Sequence, residues 1–361
     1  MGKFVEKMWE QVDNLTGKTV ILTVLFTLLV QLGIVFLLPS LLLHRLTAIL
    51  LAKKFRPDLL HIFGGKGALL SMEPIYSRPV CNIVLHLVIQ GSIPIETWRE
   101  RFQERILDCV NPKTGEQMYP GFKQYWTHFM GFMFWKRELN FSLEKHIRSY
   151  DYTEPELQLP GSECTESDLM RITGALIAQP WREGQSPWEI LLVPNYVSSK
   201  QPGKSQCVLV FRIHHALADG YSIDKVIRRL ADESIEDCGG RIKPNFPKLS
   251  LWQQLELAIR LPYDAVQLLL NSYDGPNCWH LLEDNTKLSR KYHVFYSEEI
   301  TVEDVKKVRR TFGVPYNAVV CALTSAGIRG LMKEADQPVP QSMSVCTPFP
   351  LKNHPDGLVN H

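Results

Sequence analysis

The chain has 361 residues, 45% of them hydrophobic, which is enough to bury a large core and excludes a disordered or fibrous protein. Its 40 basic and 38 acidic side chains leave a formal charge of +2 and, with no RNA- or DNA-binding motif, no field for gripping nucleic acid. Eight scattered cysteines without a C-x-x-C pair or zinc spacing argue against a disulfide framework and a metal site alike.

Residues 1–18 form an N-terminal tail and 19–52 a membrane segment. From Val20 to Leu43 the chain carries no charge, and as a helix this stretch is about 36 Å long, more than the roughly 30 Å of a bilayer's hydrocarbon core. Arg45, Lys53, Lys54 and Arg56 follow it, so the positive-inside rule puts the rest of the chain in the cytosol. Pro39 is a point where a second piece, Leu41 to Ala52, could turn along the interface, leaving single-pass and re-entrant or monotopic attachment both open.

A first lobe is expected over 60–235. Phe63 to Gly67 reads as a turn-rich entry, and Cys81 to Gln90 as a buried strand. Trp98, Phe102, Ile106 and Leu107 repeat at helical spacing, predicting a helix over Glu96 to Val110 with one face inward. The aromatic-dense stretch from Tyr119 to Tyr152 suits ordinary core packing better than a lipid-facing wall. A helix follows over Thr165 to Ala178 with Leu169, Ile172, Leu176 and Ile177 inward, then strands over Trp188 to Pro194 and Cys207 to Ile213, and a helix over Tyr221 to Ala231. Residues 236–290 read as a crossover, helical from Leu249 to Leu270, and 291–361 as part of a second lobe. In that part Tyr292 to Ser297 and Ser342 to Thr347 look like strands, Thr301 with Asp304 opens a helix to Phe312, and Tyr316 to Lys333 is a second helix.

The chemistry concentrates in His214-His215-Ala216-Leu217-Ala218-Asp219-Gly220. An isolated H-x-x-x-D means little, since about half a match arises by chance in such a chain, and His280 to Asp284 supplies one. A preceding histidine and a following glycine occur together only at 214–220, where a strand gives way to a helix and side chains can project into a crevice. An alcohol is a poor nucleophile until a base takes its proton, and an imidazole of pKa near 6.5 can accept that proton and pass it on. Adjacent strand residues face opposite ways, so one histidine acts. His215 is the candidate base and His214 a hydrogen-bonded core residue, with Asp219 capping the next helix or pairing with a buried arginine and Gly220 permitting the turn. Two sequential histidines seldom reach one ion, so no metal is assigned. The chain also lacks a G-x-S-x-G elbow for a serine nucleophile.

The block from His214 to Gly220 resembles the H-H-x-x-x-D-G signature of the wax ester synthase/diacylglycerol acyltransferase family. Tyr76 to Pro79, Tyr119 to Phe122, Phe141 to Arg148 and Gln179 to Glu189 resemble further family segments in the same order. The resemblance implies an α/β (α+β) fold of two chloramphenicol-acetyltransferase-like lobes around a tunnel, the second lobe incomplete here because relatives continue past Asn360. It implies O-acyl transfer from acyl coenzyme A, a co-substrate needing no further cofactor, to a long-chain alcohol or diacylglycerol, at the cytosolic face of an endoplasmic reticulum membrane. Asn317 stands where the family's N-D pair opens a later helix, with Ala318 replacing the Asp. A silent membrane protein that binds acyl chains or a partner, or transfer to a different hydroxyl or amine acceptor, is the alternative expectation.

Overall fold

The computed structural model describes residues 17–198, 203–231, 249–271, 289–345, 354–355 and 357–359. His280 to Asp284 and the start of the crossover lie outside the described residues. The chain divides into two units, one of residues 43–244, 289–295 and 349–361, the other of 1–42, 245–288 and 296–348.

In chain order the elements begin with α1 (Gly17–Leu32), a π-helical turn (Gly33–Leu37) and α2 (Leu38–Phe55). Together they give 37 residues, Thr19 to Phe55, that are long and apolar enough to cross a membrane. Pro39 does not break this helix. A π-turn immediately precedes it, in which the Leu38 amide reaches back to the Gly33 carbonyl.

Strand β1 (Leu59–Ile62) and α3 (Gly65–Leu70) follow, then β2 (Asn82–Gln90) and α4 (Ile95–Phe102), which runs on as a π-turn (Gln103–Leu107). Trp98, Phe102, Ile106 and Leu107 are all buried, as their spacing predicts. Next come β3 (Gln124–Phe129), β4 (Phe132–Arg137), α5 (Leu143–His146), β5 (Ile147–Ser149), β6 (Cys164–Thr165) and α6 (Glu166–Ala178). Thr165 and Asp168 close a capping box on α6. Strands β7 (Trp188–Val197) and β8 (Gln206–His214), then helices α7 (Gly220–Leu230), α8 (Leu251–Asn271), α9 (Val302–Phe312) and α10 (Tyr316–Glu334), complete the order. This is the mixed helix and sheet class the sequence predicts.

The larger unit is built on a five-stranded sheet ordered β2-β8-β7-β5, with β6 pairing β7. Every residue of the central strand β8 is buried. Its Val208 and Val210 join Leu169, Ile172 and Leu176 of α6 on one face, and Leu209, Phe211 and Ile213 join Phe102, Trp188 and Val226 on the other. A second sheet, β1-β4-β3, alternates in the same way. Phe132 and Phe134 pack toward Ala48 and Ala52 of α2, while Met133 and Trp135 face the main core. The turn joining β3 to β4 has Met130 and Gly131 both at positive φ, 48° and 80°, the pairing a tight hairpin demands.

Two expected strands are corrected. Tyr292 to Ser297 forms no strand, and at Tyr292 the chain passes over α6, where Gly174 lacks the Cβ that would strike the Tyr292 carbonyl. Residues 342–345 likewise form no strand, and 346–347 lie outside the described residues. In the smaller unit α1 packs along α8, and α9 meets α10 at 102° through Gly313 in the left-handed conformation.

Candidate active site

Strand β8 ends on His214, paired across the ladder with Asn82. The chain then turns, the His215 amide bonding to the Cys81 carbonyl at 2.8 Å and the Leu217 amide to the His214 carbonyl at 3.0 Å. Ala216, Leu217 and Ala218 are buried, so the turn is anchored from below. Strand pairing thus holds the histidine pair on one side and core packing on the other.

The two histidines differ in environment. His214 is wholly buried, its Nε2 2.5 Å from Glu73 Oε1 and its ring 5.3 Å from that of Trp126. The Ala216 amide donates to its Nδ1 at 3.1 Å, so Nε2 carries the proton that goes to Glu73. Burial pushes the His214 pKa below the ordinary value, against the opposing pull of Glu73. Burial also works to raise the Glu73 carboxyl, but His214 and the amides of Cys81 and Val80 outweigh it and hold the pKa at about 2. His215 is only half-buried.

Asp219 is the N-cap of α7, Oδ1 accepting the Ser222 amide at 2.9 Å. Its Oδ2 receives His354 Nε2 at 2.8 Å, so of the two expected roles the capping one holds, and the other side-chain partner is a histidine. The segment around His354 holds the same turn again, because the Asp219 amide donates to the Val359 carbonyl at 2.9 Å and the Ser222 hydroxyl to it at 3.2 Å. Gly220 is the first residue of α7, its φ is not positive, and a Cβ there would meet nothing within 4 Å. A glycine is thus compatible with the turn without being sterically required by the described residues. Asn317 belongs to the other unit, half-buried in the first turn of α10.

Glu73, Trp126 and His354 are site neighbours that sequence reasoning missed. Glu73 lies 141 positions from its partner and His354 lies 135 from Asp219, with no motif marking either. Among the described residues no group of three His, Cys, Asp or Glu could hold a metal ion.

In this chain a buried strand ends in paired histidines and passes through a turn into an aspartate-capped helix, and this stretch is the one whose sequence resembles the H-H-x-x-x-D-G signature. The chain belongs to the wax ester synthase/diacylglycerol acyltransferase catalytic domain family, whose model matches residues 95–275. It is similar to the structure of the wax ester synthase/diacylglycerol acyltransferase from Marinobacter aquaeolei VT8, at 15% identity and a TM-score of 0.47, covering 77% of this chain and 61% of that one. It is also similar to the first condensation domain of the calcium-dependent antibiotic synthetase, at 11% identity, a TM-score of 0.31 and coverage of 47% and 37%. The starter condensation domain of rhizomide synthetase, bound to C8-CoA and Leu-SNAC, matches at 14% identity, a TM-score of 0.32 and coverage of 50% and 36%. No curated protein sequence matches the chain.

Proposed function

We propose that the chain transfers a fatty acyl group from acyl coenzyme A to the hydroxyl of a long-chain alcohol or diacylglycerol, with His215 as general base. The observation that carries this reading is the division within the histidine pair. His214 is wholly buried with both ring nitrogens bonded inside the fold, and His215, one residue past the end of the strand, is half-buried in the turn that leads to α7. Family membership supports the reaction class.

In the proposed step the His215 imidazole takes the hydroxyl proton as the oxygen attacks the thioester carbonyl carbon. The carbon–sulfur bond then breaks, and the imidazolium returns the proton to the departing coenzyme A thiolate. No covalent enzyme intermediate and no cofactor beyond the acyl coenzyme A co-substrate is invoked. The apolar helix supports a lipid acceptor, the basic residues Arg45, Lys53, Lys54 and Arg56 beside it support a cytosolic position for the chain that follows, and an endoplasmic reticulum membrane fits a cytosolic supply of acyl coenzyme A.

The test supplies labelled palmitoyl-CoA with hexadecanol or dioleoylglycerol to membranes carrying the chain or its His215→Ala form. The substitution is expected to lower ester formation by about 10²- to 10⁴-fold. Equal ester formation by both forms would overturn the base assignment, and acyl coenzyme A binding without transfer by the unaltered chain would favour a silent binding protein.

A further inference from the structure

Helix α8 has the polarity of a water-soluble surface helix reversed. Its charged residues, Glu256, Arg260 and Asp264, recur every four positions and so form one stripe. Arg260 reaches both acids, Glu256 at 3.4 Å and Asp264 at 3.5 Å, and the side chains of Glu256, Arg260 and Asp264 are 27%, 28% and 39% exposed. Outside the stripe the helix carries no charge, and Leu251, Trp252, Ile259 and Leu268 are 81%, 80%, 68% and 74% exposed. Leu257 and Leu261 are exposed as well. A surface helix in water buries its apolar stripe and turns its charges out. Here the charges are the shielded side and pair with one another, which is how ionisable residues are carried on helices in lipid.

The helix that α8 packs along has the same polarity. On α1 the row Thr19, Thr23 and Thr27 is shielded, Thr19 fully and the other two in part, while Ile21, Leu25, Leu28 and Leu29 are exposed. The Thr23 and Thr27 hydroxyls donate to the carbonyls four residues back, at 2.8 and 2.7 Å, so neither needs water. Both helices thus withdraw their polar rows and present apolar sides. Since α1 belongs to the segment long and apolar enough to cross a membrane, the apolar surface of α8 continues that of the membrane helix. A solitary crossing by α8 does not fit the chain path. Before it α7 and after it Tyr292 belong to the same larger unit, so the chain returns to the side it left.

We propose that α8 is a second membrane element, re-entrant and immersed in the same bilayer as α1, with its apolar sides against the acyl chains and the Glu256, Arg260 and Asp264 stripe turned inward. The inference rests on the membrane reading of α1 and not on acyl transfer. The full chain is placed in vesicles of phosphatidylcholine, a fraction of which carries a diazirine at the end of one acyl chain, irradiated, and its labelled residues are mapped by mass spectrometry. Label is expected on α1 and on Ile259, Leu261 and Leu268 of α8, in the unaltered chain and in His215→Ala equally. Label on α1 with none on α8, as when a protein surface covers α8, overturns the proposal and leaves the reading of α1 standing. Label on neither helix overturns both. Ile259→Arg with Leu268→Arg, at two exposed positions, is expected to lower labelling of α8 by about tenfold and to leave that of α1 unchanged. Undiminished label on α8 in this variant also overturns the proposal.

Discussion

At the scale of single residues, the pair His214 and Glu73 makes stability depend on pH in a direction that can be derived. Both have pKa values below their unfolded ones, His214 from 6.5 downward and Glu73 from 4.5 to about 2. The unfolded chain therefore binds more protons than the folded chain between those values, and stability rises with pH. The contribution is complete above about pH 7 and is lost on acidification, through His214 first and then through Glu73 between about pH 4.5 and 2. Glu73→Gln keeps an acceptor for His214 but removes the titrating carboxyl, so the unfolding midpoint of the full chain in detergent is expected to vary less with pH below 5. Identical slopes for both forms would show that this pair does not govern acid sensitivity. The histidine motif was legible in sequence because it is contiguous. Glu73 and His354 were not, since chain separation hides a contact that only folding creates.

At the scale of elements, β8 was legible for a simple reason. A strand buried on both faces must be apolar almost throughout, and Cys207 to Ile213 is so except at Arg212. That exception is accounted for by a charge network. The Arg212 guanidinium donates to Glu189 Oε1 at 2.8 Å, Arg148 holds Oε2 at 2.8 Å, and Tyr152 adds a hydroxyl at 2.9 Å. Arg212 also donates to the Gln179 carbonyl and lies 3.8 Å from the centre of the Trp181 ring. Replacing Arg212 with Met leaves the buried Glu189 with half its compensation, and the expected cost is about 3 kcal/mol of folding stability, read from denaturant midpoints by tryptophan fluorescence. A change below about 0.5 kcal/mol would mean the pair is neutral here. The same elements show where patterning fails. The hairpin β3–β4 was read only as aromatic-rich, because its turn is Met130-Gly131 instead of the Asn-Gly that marks such turns. Tyr292 to Ser297 has a strand's composition, but a strand also needs a partner edge, and at Tyr292 the chain meets a helix instead.

At the scale of the whole molecule, the apolar helix and the catalytic framework are joined by continuous chain. Residues Val20 to Leu43 expose most of their large apolar side chains, a pattern water does not tolerate over such a length. The chain is therefore expected to stay with the membrane pellet after alkaline carbonate washing. Leu28→Arg with Leu29→Arg, at a cost of about 2.5–3.5 kcal/mol each near a bilayer centre, is expected to release a measurable fraction. Complete extraction of the unaltered chain by carbonate would exclude a spanning helix. The chain spans 61% of the length of the Marinobacter protein it resembles, and its larger unit includes 289–295 and 349–361 besides 43–244. That composition was invisible in the sequence, which suggested contiguous lobes.

The sequence by itself determined what depends on neighbours along the chain: the apolar helix, the helical spacing of Trp98 to Leu107, the buried strand and the seven-residue motif at its end. Tertiary structure alone decided that Glu73 fills the coordination of His214, that Asp219 spends its carboxylate on Ser222 and His354, and that Gly220 has no steric task. Periodicity and propensity act over a few residues and can be read in a line. A hydrogen bond between groups more than a hundred residues apart exists only once the strands and turns that carry them have been brought together.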